Sequence, residues 1–126
     1  MKPGSTYTAI VGAVIAKERE DRGISQTTIA NYVQIGQPAW SRIEKGESAL
    51  TIDQLARASE GLNISPSEIL RIADQTVEKM KMEDLDVSYQ KPSRKADLAK
   101  SGLLLLGGAA LGALVYAAKN NKNEPR

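Results

Sequence analysis

Between Gly102 and Ala118 the chain runs through GLLLLGGAALGALVYAA without a charge, with Lys100 just before this run and Lys119 just after it. As a single helix rising about 1.5 Å per residue, the run is roughly 25 Å long, close to the thickness of a bilayer's hydrocarbon core. Its leucines, Val115 and Tyr116 favour insertion, while its glycines and alanines add little. The run therefore predicts a last helix over 94–119 that spans a membrane; the alternative is an oligomerisation helix in a soluble protein. Gly108 and Gly112 form a small-residue ridge, widened by Ala109 and Ala113, over which two helices can approach closely. A homodimer or higher oligomer is the expectation.

The rest of the chain is of another kind. The sequence has 126 residues, room for one small domain with appendages. It contains no Cys, no His and no Phe. Disulfides and thiolate metal sites are excluded, and the usual acid–base residue at neutral pH is missing. An enzyme, a metal site and a cofactor are not expected. Net charge is +2, but it is unevenly placed. Residues 1–78 carry eight Lys/Arg against ten Asp/Glu, a net −2, while the surplus of basic residues flanks the apolar run. Such flanks suit anionic lipid headgroups. Lys81, Lys91, Arg94, Lys95 and Lys100 upstream outnumber Lys119, Lys122 and Arg126 downstream. That asymmetry predicts a single-pass protein of the cytoplasmic (inner) membrane with its N-terminal domain in the cytoplasm. The N-terminus has no clear cleavage site of a secretion signal.

Helix signals fill the first two thirds. Ile10, Val14 and Ile15 followed by charged residues predict a helix from about 6 to 22, with Gly23 as its stop. Ser25 can cap a short helix through Val33 that turns Ile29, Ala30 and Val33 inward. Gly36 interrupts, and Pro38 suits the first turn of a helix over 37–45 closed by Gly46. Thr51 with Gln54 is a capping box, and Ser65 with Glu68 is a second, with Pro66 at N1. The last of these helices frays by Asp84. The chain thus divides into an all-α domain of five helices over 6–84, a linker over 85–93, the apolar helix over 94–119 and a disordered tail over 120–126.

The order of these signals from Val11 to Leu70 resembles the Cro/phage-repressor (XRE) type of helix-turn-helix domain. The matching points are Arg22 to Gln26, the helix TTIANYV, Ser41 to Glu47, the stretch DQLARASEGLNIS and SPSEIL at the end. The resemblance implies a five-helix fold whose third helix enters the major groove of double-stranded DNA. It implies reading positions at Gln37, Pro38, Ala39, Ser41 and Arg42, with Gln37 suited to adenine and Arg42 to guanine or a phosphate. Gln26 at the start of the second helix and Lys45 are implied phosphate contacts.

The chain departs from the family pattern in three ways. Trp40 stands where a medium aliphatic residue is usual, Gly36 replaces a hydroxyl-bearing cap, and Pro38 and Ala39 offer only apolar contacts. An exposed Trp beside Pro and Ala also suits a protein partner. The leading expectation is a membrane-tethered DNA-binding transcriptional regulator of bacterial, phage or mobile-element origin. The alternatives are a membrane adaptor whose helix-turn-helix domain binds a protein, as in bacterial cell-shape proteins that hold an actin-like filament, and a soluble repressor with a C-terminal oligomerisation helix.

Overall fold

Thr6 leaves an extended segment and accepts a hydrogen bond from the backbone N–H of Ala9 at 3.1 Å, which starts the first helix. The computed structural model of the chain describes residues 3–89, 104–105 and 108–120. Among these, strand β1 (Pro3–Thr6) leads into α1 (Tyr7–Asp21), followed by α2 (Gln26–Val33), α3 (Gln37–Glu44), α4 (Ile52–Leu62) and α5 (Pro66–Met82). Strands β2 (Asp86–Ser88) and β3 (Leu104–Leu105) and a final helix α6 (Gly108–Lys119) complete the order.

The caps expected at Ser25, Thr51 and Ser65 form. Ser25 accepts from Thr28, Ser65 accepts from Glu68, and Thr51 and Gln54 make both bonds of a capping box. The helix ends share one device. After α1 the N–H of Ile24 reaches back to the carbonyl of Arg19 at 3.1 Å, with Gly23 at φ +66° between them. The same six-residue closure follows α2 with Gln34 at φ +67°, and α4 with Asn63 at φ +55°. The apolar residue after each turn, Ile24, Ile35 or Ile64, packs against the core.

That core is aliphatic around one indole. Ile10, Val14 and Ile15 of α1 meet Ile29 and Val33 of α2, Trp40 and Ile43 of α3, and the inner faces of α4 and α5. Gly12 lets α1 and α3 touch. A Cβ at Gly12 would stand 2.4 Å from the carbonyl oxygen of Ile43, so only glycine admits this approach. Tyr7 ties the start of α1 to α5, its hydroxyl donating to Asp74 Oδ1 at 2.7 Å. Burial, and then the bond and charge of Asp74, raise the Tyr7 phenol above its ordinary range.

Two features differ from the all-α expectation. The first is a three-stranded parallel sheet in the order β2-β1-β3, with Gly4 opposite Asp86 and Pro3 opposite Leu104. Residues 86–88 of the expected linker are therefore a strand. Three residues, one of them Asp, carry no alternation to read, and their hydrogen-bond partners lie at the far end of the chain.

The second is the apolar run. Leu104–Leu105 are extended and paired, and the helix begins only at Gly108. The expected helix over 94–119 is not one piece; residues 94–103 and 106–107 lie outside the described residues. A helix of 12 residues is about 18 Å long, short of the roughly 30 Å of a hydrocarbon core. Among the described residues no helix is long and apolar enough to cross a membrane.

Helix α6 lies against α1 and α5 instead. Leu111, Val115 and Ala118 recur at helical spacing and are buried there. Burying the larger two contributes about 1.5–3 kcal/mol each. Lys119 fastens the end of the helix, its ammonium 3.0 Å from Glu18 Oε2 and 3.3 Å from Asp21 Oδ2. Tyr116 is exposed, with Lys17 Nζ 5.4 Å from the centre of its ring. A Cβ at Gly112 would meet nothing within 4 Å, so among the described residues no helix packs over that position of the expected ridge.

Candidate nucleic-acid interface

Helix α3 has two unlike faces. Trp40, Ile43 and Glu44 turn inward and are buried. Gln37, Pro38, Arg42 and Lys45 are exposed, and Ala39 and Ser41 are half-buried beside them. The offsets between 37, 38, 41, 42 and 45 place these side chains on one stripe of the helix. The structure thus brings together six of the seven residues expected to meet DNA. Arg42 and Lys45 make no ion pair among the described residues, in a region rich in carboxylates. The start of α3 is open as well, because Gly36 at its N-cap has no side chain to occupy the first N–H groups.

The seventh residue, Gln26, behaves differently. Its side chain turns toward the protein, where Nε2 donates to Glu44 Oε1 at 2.8 Å. Glu44 is the centre of the arrangement. Arg19 of α1 holds it with Nε on Oε2 at 2.8 Å and Nη2 on Oε1 at 3.1 Å. The indole N–H of Trp40 donates to Oε2 at 2.7 Å. Four donors on one carboxylate fill its four principal acceptor directions. Such saturation is what allows a charge to sit inside a small domain. The network continues outward, since Gln37 Nε2 donates to Gln26 Oε1 at 2.8 Å.

Trp40 corrects one expectation. It is fully buried, at 0% exposure, and packs with the core of the domain. The surface of Pro38, Ala39 and Trp40 expected to meet a protein partner therefore lacks its indole. The reason is the carboxylate four residues on, which accepts the N–H and makes the ring's burial affordable in polar terms. Arg19 and Glu44 are the residues that sequence reasoning missed. The available signal was a carboxylate placed on the same helical face as Trp40 and Ile43, a position that requires a buried cation.

Comparison with known proteins places these helices. Residues 15–69 match the helix-turn-helix family model, which covers α2, α3 and the turn between them. A solved structure, the clp gene regulator ClgR from C. glutamicum, superposes with a TM-score of 0.52 at 22% identity, covering 54% of this chain and 88% of that one. The likeness is one of fold. No curated protein matches the chain.

Proposed function

We propose that the protein is a DNA-binding transcriptional regulator that lays α3 in the major groove of double-stranded DNA. The observation that carries this reading is the outer stripe of α3. It presents Arg42 and Lys45, which make no ion pair among the described residues, with Gln37 and Ser41, on a helix-turn-helix pair. Arg42 then meets a guanine edge or a phosphate, and Pro38 and Ala39 offer apolar contact to a thymine methyl. The side chain of Gln26 is committed to Glu44, so any phosphate at the start of α2 is met by backbone N–H groups.

The domain is acidic, which opposes nonspecific affinity. Pairing of two copies belongs to this reading, because it supplies the second half-site and raises the effective concentration of the first. The test is a titration of the full chain against genomic fragments at two salt concentrations. Arg42→Ala costs about 1–3 kcal/mol at a cognate site if the contact is to a base. If it is to a phosphate, the loss is equal on all sequences and the salt slope falls by about one. Absence of any duplex binding at low salt would sink the proposal.

A second reading, attachment to the cytoplasmic membrane with the domain in the cytoplasm, is favoured by the uncharged run 102–118 between basic flanks. It requires α6 to leave α1 and α5 and to join with the residues before it. Extraction of the full chain by carbonate washing, without detergent, refutes it.

A further inference from the structure

We propose that Glu18 and Asp21 latch α6 in a stored position by competing with anionic lipid headgroups for Lys119, so that opening this latch controls entry of the apolar run into a membrane. The proposal rests on the membrane reading, given second above. It starts from the face that α6 turns to water. A helix on the surface of a soluble domain carries its charged and polar residues on the outer side. Helix α6 carries none there: Ala110, Ala113 and Tyr116 are exposed, and no residue from Gly108 to Ala118 is charged. Its one charge, Lys119, is bent back onto its own chain, at 3.0 Å from Glu18 Oε2 and 3.3 Å from Asp21 Oδ2. A helix apolar on every side is thus covered on one side only. A second copy would cover one more side. Hydrocarbon covers the whole circumference, and headgroup phosphates return partners to Lys119.

The ion pairs can open without stranding a charge. Glu18 is buried, with 2% of its side chain exposed, and it also accepts from Nη1 of Arg22. Asp21 is paired with Lys17 at 3.1 Å. Each carboxylate therefore keeps a cation supplied by α1 when Lys119 leaves. The apolar seat on α1 and α5 then faces water, which holds the closed form where no lipid is present. The same residues, Leu111, Val115 and Lys119, serve the seat and the bilayer, so the docked and inserted forms exclude each other.

The experiment is flotation of the full chain with vesicles of phosphatidylglycerol and phosphatidylcholine in equal parts. The sequence has no cysteine, and Lys17 Nζ lies 5.4 Å from the centre of the Tyr116 ring. The Lys17→Cys/Tyr116→Cys variant can therefore be bridged between α1 and α6 by a bis-maleimide. The wild type floats with the vesicles and stays with them through a carbonate wash. The bridged variant does not float, while the same variant capped with N-ethylmaleimide does. Glu18→Gln raises the ratio of bound to free chain by about fivefold, as expected of one lost ion pair. Glu60→Gln, the same change of charge at an exposed position of α4, shifts it by less than about twofold. Flotation of the bridged variant overturns the proposal alone, and so does a rise in Glu60→Gln equal to that in Glu18→Gln. Bridging that yields covalent dimers also overturns it, because the seat of α6 then belongs to a second copy. Absence of flotation in the wild type, the capped variant and Glu18→Gln overturns the membrane reading and this proposal together.

Discussion

Helices α3 and α6 both rest on α1, and they are held in opposite ways. Helix α3 meets it backbone to backbone at Gly12 and is locked by the carboxylate of Glu44, which Arg19 grips with two hydrogen bonds. Helix α6 is held by Leu111, Val115 and Ala118 and by the two ion pairs of its last residue. The first attachment is directional and leaves no alternative orientation. The second is mostly apolar, and an apolar face transfers to another apolar environment with little loss. One fold therefore carries a third helix fixed by a polar lock and a C-terminal helix held mostly by apolar contact.

The contrast is broken most severely at Glu44. In Glu44→Ala, the partly buried guanidinium of Arg19 loses its carboxylate, and the N–H groups of Trp40 and Gln26 lose their acceptor. The expected loss is about 3–5 kcal/mol, measured by urea unfolding. A loss below about 1 kcal/mol would show that the carboxylate is not the lock.

Leu111→Ala probes the other attachment. If α6 is seated on α1 and α5 in solution, the truncation costs about 2–3 kcal/mol, the lower part of the range for a buried leucine. If α6 resides elsewhere, in a bilayer or against a second copy, unfolding of the domain is unchanged by it. The comparison of the two variants in one denaturant series reports whether α3 and the C-terminal helix unfold as a unit.

These two attachments were unequally legible in the sequence. The helices of the N-terminal domain announce themselves through neighbours: Ser25, Thr51 and Ser65 stand three residues before the N–H groups they accept from. Local chemistry of that kind needs no knowledge of the fold. Trp40 was misplaced because its burial depends on Glu44, and the burial of Glu44 depends on Arg19, 25 residues away. The sheet was invisible because β1 finds its partners at Asp86 and Leu104. In the apolar run the seat of α6 had no contrast to mark it. Leu111, Val115 and Ala118 have the spacing of a buried stripe, but the residues between them are also uncharged. Length and composition then suggested a span where the described residues form a strand and a short helix.

The ion pairs at Lys119 add a pH dependence to the second attachment. Partial burial disfavours the charge of Lys119, but the hydrogen bonds and charges of Glu18 and Asp21 outweigh it and raise its pKa. The Asp21 carboxyl is lowered, first by its hydrogen bond from Lys17, then, against slight burial, by Lys119. A raised lysine contributes fully below its unfolded value of about 10.4 and loses that contribution as pH rises through the higher folded value. A depressed aspartate contributes fully above about 3.9 and loses its part as pH falls through the lower folded value. The docking of α6 is therefore strongest between these limits. Lys119→Ala costs about 1.5–3 kcal/mol near neutrality and flattens the alkaline limb of a plot of melting temperature against pH. Parallel curves for the variant and the wild type would remove Lys119 from the account.

The smallest expected effect lies in the turn between α2 and α3, and it compares two helix ends of the same geometry. Gly23 and Gln34 both take the left-handed conformation, at φ +66° and +67°. A side chain there crowds the following carbonyl, at a cost of about 1–2 kcal/mol. Gly23 avoids it and Gln34 does not. Replacing Gln34 by glycine removes the crowding but gives the unfolded chain more freedom, which returns about 0.5–1 kcal/mol of the gain. The net expectation for Gln34→Gly is a stabilisation of about 0.5 kcal/mol. Gly23→Ala is the reverse experiment. A Cβ at Gly23 meets nothing within 4 Å, so its cost is conformational alone, about 1 kcal/mol. Opposite signs for the two substitutions in thermal unfolding confirm that the turn between α2 and α3 stores backbone strain that its neighbour does not. If Gln34→Gly destabilises, the glutamine side chain contributes to holding α2 against α3, and the turn is a contact rather than a strained joint.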